Sequence, residues 1–168
     1  MQEQLYNLAF ERTVLSSIIF EPQYFEDINL VESDFYLSAH TAIFSSMRTL
    51  VKKGMPIDEE FIKKELLNKR AFDEQVMLEI LSANPAANLK AYVNEIKEKS
   101  KLRKLLHLTN DIKKTAIEDN GSSDAIVALV EQHLLDLDNS SNIDMPIDMD
   151  IAINDFKNMT PPPLIKTG

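Results

Sequence analysis

Apolar residues return at helical spacing along most of this chain, and the clearest case runs from Asn88 to Asp119 without a Gly or Pro. Leu89, Tyr92, Val93 and Ile96 form one apolar set. Leu102, Leu105, Leu106, Thr109, Ile112 and Ala116 form a second, and Lys97–Lys101 (KEKSK) supplies no apolar residue between them. As one helix the stretch is roughly 48 Å long at 1.5 Å per residue, more than a small domain can cover. The first set, behind Asn88 as N-cap, therefore closes the domain in front. The second needs a partner helix. Asn120-Gly121-Ser122-Ser123 supplies a turn and cap, after which Ile126, Leu129, Val130, Leu134 and Leu137 repeat the helical spacing. A short loop between two amphipathic helices predicts an antiparallel helical hairpin.

The preceding residues predict a helical head. A first helix spans about Gln4 to Phe20, with Leu8, Val14, Leu15, Ile18 and Ile19 inward, and Pro22 ends it. Tyr24, Phe25 and Ile28 follow in a short segment, and Glu32-Ser33-Asp34-Phe35-Tyr36 forms a turn. The next helix starts at Ser38 as N-cap, is lined by Ile43, Phe44, Met47 and Leu50, and is closed by Gly54. Pro56-Ile57-Asp58 opens another, carrying Phe61, Ile62, Leu66 and Leu67. One more, from about Asp73 to Ser82, carries Val76, Met77, Ile80 and Leu81. The fold class is all-α: a compact head of about six helices over 1–97, a projecting antiparallel hairpin over 98–138, and a linker with a short helix over 139–160. In the short helix Met149, Ala152, Ile153 and Phe156 share a face behind Asp148, before Thr160-Pro161-Pro162-Pro163. A helix of about three turns is marginal alone in water, so that face docks on something outside the chain or folds back on the hairpin.

Composition narrows the function. The chain has 168 residues, 44% apolar, and no cysteine, so neither a disulfide framework nor a thiolate metal site exists, which suits a cytoplasmic protein. No apolar run is long enough to span a membrane, and no signal peptide is indicated. The net charge of −9 is uneven: −6 over 1–96, +5 over 97–114, and −8 over 115–168. An acidic chain is a poor phosphate binder. The basic segment around Lys97, Lys99, Lys101, Arg103 and Lys104 reads first as the solvated face of the hairpin, and second as the one place nucleic acid could touch. No catalytic, cofactor-binding or metal site emerges. His40, His107 and His133 lack ligand spacing. Asp58-Glu59-Glu60 reads as a helix start, and Lys166-Thr167-Gly168 lacks the glycines of a phosphate loop.

Three stretches then carry a resemblance. Phe10-Glu11-Arg12-Thr13-Val14-Leu15-Ser16-Ser17-Ile18-Ile19 looks like the opening helix of the bacterial replicative DNA helicase (DnaB) family, with Ser16 in place of the usual Gly. Asp34-Phe35-Tyr36 followed by His40, Ile43, Phe44 and Met47 is similar to that family's D-F-Y-x-x-x-H-x-x-I-F-x-x-M. Asn88-Leu89 with Tyr92 and Ile96, then Arg103 and Leu105, resembles its third pattern. The resemblance covers essentially the whole chain and implies the N-terminal domain plus linker helix of such a helicase, with Thr167-Gly168 where the ATPase motor begins. It implies a non-catalytic collar that self-associates as dimers and as a trimer of dimers. Hairpin pairing is expected through Leu102, Leu105, Leu106, Ile112, Ile126, Leu129, Val130 and Leu134. Linker-helix docking on a neighbouring motor is expected through Met149, Ala152, Ile153 and Phe156. The implied partners are the primase C-terminal domain and a helicase loader or initiator protein, in a primosome. ATP, Mg and DNA belong mainly to the motor beyond this chain. A stand-alone helical adaptor for replication partners is the competing reading.

Overall fold

The computed structural model describes residues 5–117 and 122–139, with side chains to 135. It is all-helical among these residues. Its elements are α1 (Leu8–Phe20), α2 (Tyr24–Asp27), a 3-10 turn (Glu32–Asp34), α3 (Ser38–Lys52), α4 (Glu59–Asn68), α5 (Glu74–Leu81), α6 (Leu89–Ile117) and α7 (Ser123–Asn139).

Short polar side chains start these helices. Asn7, Asp58, Asp73 and Asn88 each accept a hydrogen bond from the backbone N–H three residues on (Phe10, Phe61, Val76 and Ala91), at 2.9 to 3.3 Å. Two expectations are corrected here. Helix α1 starts at Leu8 and not near Gln4, because Asn7 takes the capping geometry. Ser38 is the first residue inside α3 and not its cap. The N-cap is Leu37, whose side chain has no oxygen to offer, and the Leu37 carbonyl accepts the Thr41 N–H at 3.0 Å.

Two ends share one geometry. After α3, Gly54 has φ +64°, its N–H donates to the Val51 carbonyl and the Met55 N–H to that of Leu50. After α4, Arg70 has φ 55°, with its N–H on Leu67 and the Ala71 N–H on Leu66. Both are Schellman closures, one built on the expected glycine and one on an arginine.

The core draws Val14, Leu15 and Ile18 from α1, and Ile43, Phe44, Met47 and Leu50 from α3. Ile62 and Leu66 come from α4, Met77 and Ile80 from α5, and Leu89, Val93 and Ile96 from α6. Phe44 lies between Phe25 and Phe35, with ring centroids 5.3 and 4.9 Å away. Removing these side chains from water drives the head together, at about 25 cal/mol per Å² of apolar surface. Helix α6 is unbroken across Lys97–Lys101 and about 43 Å long. Its first half is part of the head. Its second half leaves the head and packs against α7. Helix α7 returns antiparallel, bringing His133 Nε2 to 4.0 Å from Asp111.

Candidate assembly site on the helical hairpin

The buried stripe of α6 does not stop at the gap in the apolar pattern; it changes chemistry there. Leu89, Val93 and Ile96 are followed at helical spacing by Ser100, which is 2% exposed, and the stripe resumes at Leu108. Ser100 Oγ donates to Asp34 Oδ1 at 2.8 Å, and Asp34 Oδ2 accepts the Val31 N–H at 2.9 Å. One turn on, Arg103 gives Nη1 to the Leu5 carbonyl (2.8 Å) and Nη2 to the Asp34 carbonyl (2.6 Å). Its guanidinium lies over the Tyr36 ring, 5.8 Å from the centroid, and Tyr36 stacks on Tyr6 at 4.1 Å. Desolvation pulls the Arg103 pKa below its usual range, while the charges of Glu11 and Asp34 and the Tyr36 side chain oppose that shift.

Beneath this junction sits a buried ion-pair candidate. Glu11 is 1% exposed; its Oε1 accepts the Tyr36 N–H at 2.8 Å and its Oε2 lies 2.7 Å from His40 Nδ1. A carboxylate only accepts, so Nδ1 carries the proton and donates. His40 Nε2 is buried with no partner. The α1, α3 and α6 helices and the Asp34-Phe35-Tyr36 turn are thus tied together by polar contacts that fix where the hairpin leaves the head.

On the hairpin itself the expected pairing residues separate into two groups. Ile112, Ile126, Leu129 and Val130 are half-buried, as is His133, whose Nδ1 is 3.0 Å from the Leu129 carbonyl, and Leu108 is buried. Leu102, Leu105, Leu106 and Leu134 are 42 to 50% exposed, joined by Val127, Leu135 and Ile117. A hairpin ending in so many half-exposed apolar side chains presents an uncovered apolar surface. Met149, Ala152, Ile153 and Phe156 lie outside the described residues.

Part of the basic segment is paired along the helix. Lys99 pairs with Glu95 and Lys101 with Glu98 along the helix. Arg103, expected on the solvated face, turns into the junction instead, because three backbone carbonyls converge there. His107 is exposed, and among the described residues no group of three or more His, Asp or Glu is placed to hold a metal. No helix among them is long and apolar enough to cross a membrane. Sequence reasoning missed the functional grouping of Glu11, Asp34, His40, Ser100 and Arg103. The available signal was a polar residue on an inward position: Glu11 shares a face with Val14, Leu15 and Ile18, and Ser100 continues the face of Val93 and Ile96.

The DnaB-like helicase N-terminal domain family matches residues 3–98, more than half of the chain. The chain belongs to that family. Its relatives include the replicative DNA helicase DnaB of Helicobacter pylori strain J99, 37% identical over 144 residues, which cover 84% of this chain and 29% of the relative. Another is the replicative DNA helicase DnaC of Bacillus subtilis, 25% identical over 143 residues, covering 81% of this chain and 32% of the relative. The chain therefore spans about a third or less of these helicases. Among solved structures, the N-terminal domain of Helicobacter pylori DnaB, studied with its interactions with primase, superposes with a TM-score of 0.62 at 34% identity. The match covers 68% of this chain and 93% of that one. The corresponding domain from Mycobacterium tuberculosis gives 0.66 at 23% identity, over 77% of this chain and 96% of that one, and shares the fold.

Proposed function

We propose that this chain is the non-catalytic collar domain of a replicative DNA helicase, which self-associates through its hairpin and recruits primase during chromosome replication. The observation that carries the reading is the uncovered leucine surface of Leu102, Leu105, Leu106 and Leu134 on a hairpin joined to the head through Ser100 and Arg103. In this reading residues 1–97 are the head and 98–138 the hairpin. The Met149–Phe156 segment docks on a neighbouring motor, and 161–168 lead into that motor. ATP and Mg act in the motor, which also makes the main contacts with DNA. The chain binds the primase C-terminal domain and a loader or initiator protein, in the cytoplasm. The primase reading is supported by the Helicobacter pylori domain, which shares 34% of aligned residues and was studied with primase.

Light scattering of the chain across a range of concentrations tests the assembly. Association that strengthens with concentration is expected, and Leu105→Glu combined with Leu134→Glu should return a monomer with unchanged helix content. An unchanged mass in that double variant would remove the hairpin from the interface. Calorimetric titration with the cognate primase C-terminal domain tests recruitment, and the absence of a heat signal would sink that part of the proposal.

A further inference from the structure

The polar junction contains one side chain that touches three backbone carbonyls in two separate pieces of the chain. Arg103, on the hairpin-forming half of α6, reaches Leu5 at the entry to α1 and Ser33 and Asp34 in the 3-10 turn. Leu5 precedes Tyr6, whose ring lies nearly parallel to that of Tyr36 (11°), and Asn7, which caps α1. Residues 5–7 are half-buried and held by the Asn7 cap, the Asn7 carbonyl on the Glu11 N–H, the Tyr6–Tyr36 stack and the Arg103 bond. Tyr36, 48% exposed, has its ring in contact with both Tyr6 and Arg103, while its N–H reaches the buried Glu11.

We propose that Arg103 is a positioning residue that clips the 5–7 segment and the Asp34-Phe35-Tyr36 turn to the hairpin helix, so that the order of the exposed Tyr6–Tyr36 face is controlled from the hairpin. The planar fork of guanidinium is what makes this work. Two nitrogens of one group serve carbonyls that are 29 residues apart in sequence, as Leu5 and Asp34 are, and its central carbon lies over the Tyr36 ring, 5.8 Å from the centroid. A lysine ammonium carries the same charge but does not span both carbonyls. The clip gives the head a local opening mode distinct from unfolding: release of 5–7 and of the turn, with the aliphatic core intact. This inference does not rest on the collar reading, because it concerns contacts within one chain.

Amide hydrogen exchange on the whole 168-residue chain, with Arg103→Ala and Arg103→Lys, tests it. In the wild type, the Arg103 guanidinium protons should give separate, slowly exchanging resonances. In Arg103→Ala, amides at Tyr6–Phe10 and Ser33–Tyr36 should exchange roughly tenfold faster, while those at Ile43–Leu50 and Ile62–Leu66 keep their rates. Arg103→Lys should resemble Arg103→Ala in these two segments, and it supplies the reading if the alanine variant fails to fold. Uniform acceleration over the whole head would reduce Arg103 to a general stabiliser and overturn the proposal. So would unchanged exchange at Tyr6–Phe10 and Ser33–Tyr36, or full protection in the lysine variant.

Discussion

Replacing Glu11 measures how much of the head rests on polar rather than apolar burial. Glu11→Ala leaves two buried donors, the Tyr36 N–H and His40 Nδ1, without the oxygens that now sit 2.8 and 2.7 Å away. An unpaired buried group costs about 1–3 kcal/mol, and removing one partner of a buried pair about 3–5 kcal/mol; these describe the same loss and are not summed. The expected cost is therefore about 3–5 kcal/mol, a large share of the ~5–15 kcal/mol that holds a typical domain folded. For a head of this size that corresponds to a fall in Tm on the order of 15–25 °C. Glu11→Gln separates the contributions. Its amide oxygen still accepts from Tyr36, but its NH2 faces His40 Nδ1, which must then accept, and the ring proton moves to Nε2, where nothing receives it. Nε2, already without a partner, then holds an unpaired N–H in place of an unpaired lone pair while the Tyr36 N–H stays bonded, which predicts the smaller loss of about 1–3 kcal/mol. Urea unfolding followed by far-ultraviolet circular dichroism, in a Leu105→Glu, Leu134→Glu background so that association does not shift the midpoint, gives both numbers. A loss under about 1 kcal/mol for Glu11→Ala would refute the reasoning. Equal losses in the two variants would move the effect from hydrogen bonding to the carboxylate charge facing Arg103.

Three further predictions follow from single positions. Leu108 is buried and Leu106 half-exposed, so in the Leu105→Glu, Leu134→Glu background Leu108→Ala should destabilise the chain by about 2–3 kcal/mol and Leu106→Ala should leave urea unfolding unchanged, whereas Leu106→Ala in the otherwise unaltered chain should weaken self-association. Gly54→Ala meets no atom within 4 Å, so its cost is backbone strain alone, about 1 kcal/mol, while Arg70→Gly at the matching position should stabilise by a similar amount in thermal unfolding. The hydrogen bond from Lys53 holds the Glu65 carboxyl below its ordinary range; Gln75 first, then Arg12, does the same for Glu79. A depressed carboxylate pKa contributes stability that is present above the ordinary glutamate value, about 4.3, and is lost as pH falls through the folded value. Lys53→Met should therefore lower Tm slightly near neutrality and leave it unchanged at acid pH, which flattens the acid limb of the Tm-versus-pH profile, and an unchanged neutral Tm would contradict the assignment.

What the sequence made legible depended on the range of the interaction. Asp58 and Asn88 as helix starts and Gly54 as a helix end were readable because cap and capped group lie within a few residues. Arg70 escaped, since no propensity favours arginine at positive φ; the fold imposes it where α4 must close. The junction was illegible for the opposite reason. Glu11 meets His40 across 29 positions, Ser100 meets Asp34 across 66, and Arg103 meets Leu5 across 98, so no local window contains both partners.

The same cause explains the hairpin. Grouping the apolar residues at helical spacing after Lys101 picked Leu102, Leu105 and Leu106 with Thr109, Ile112 and Ala116, and passed over Leu108. Following geometry instead, the inward face of α6 runs Leu89, Val93, Ile96, Ser100, Lys104, Leu108, Ile112 and Thr115, all buried or half-buried and each three or four residues from the last. It is interrupted chemically at Ser100 and Lys104 because there the helix crosses the polar edge of the head and not another apolar face. Leu105 and Leu106 lie off this inward face and stay half-exposed. The polar gap at Lys97–Lys101, which looked like the end of a structural pattern, thus lies within one continuous helix that serves the head with its first half and leaves leucines exposed on its second.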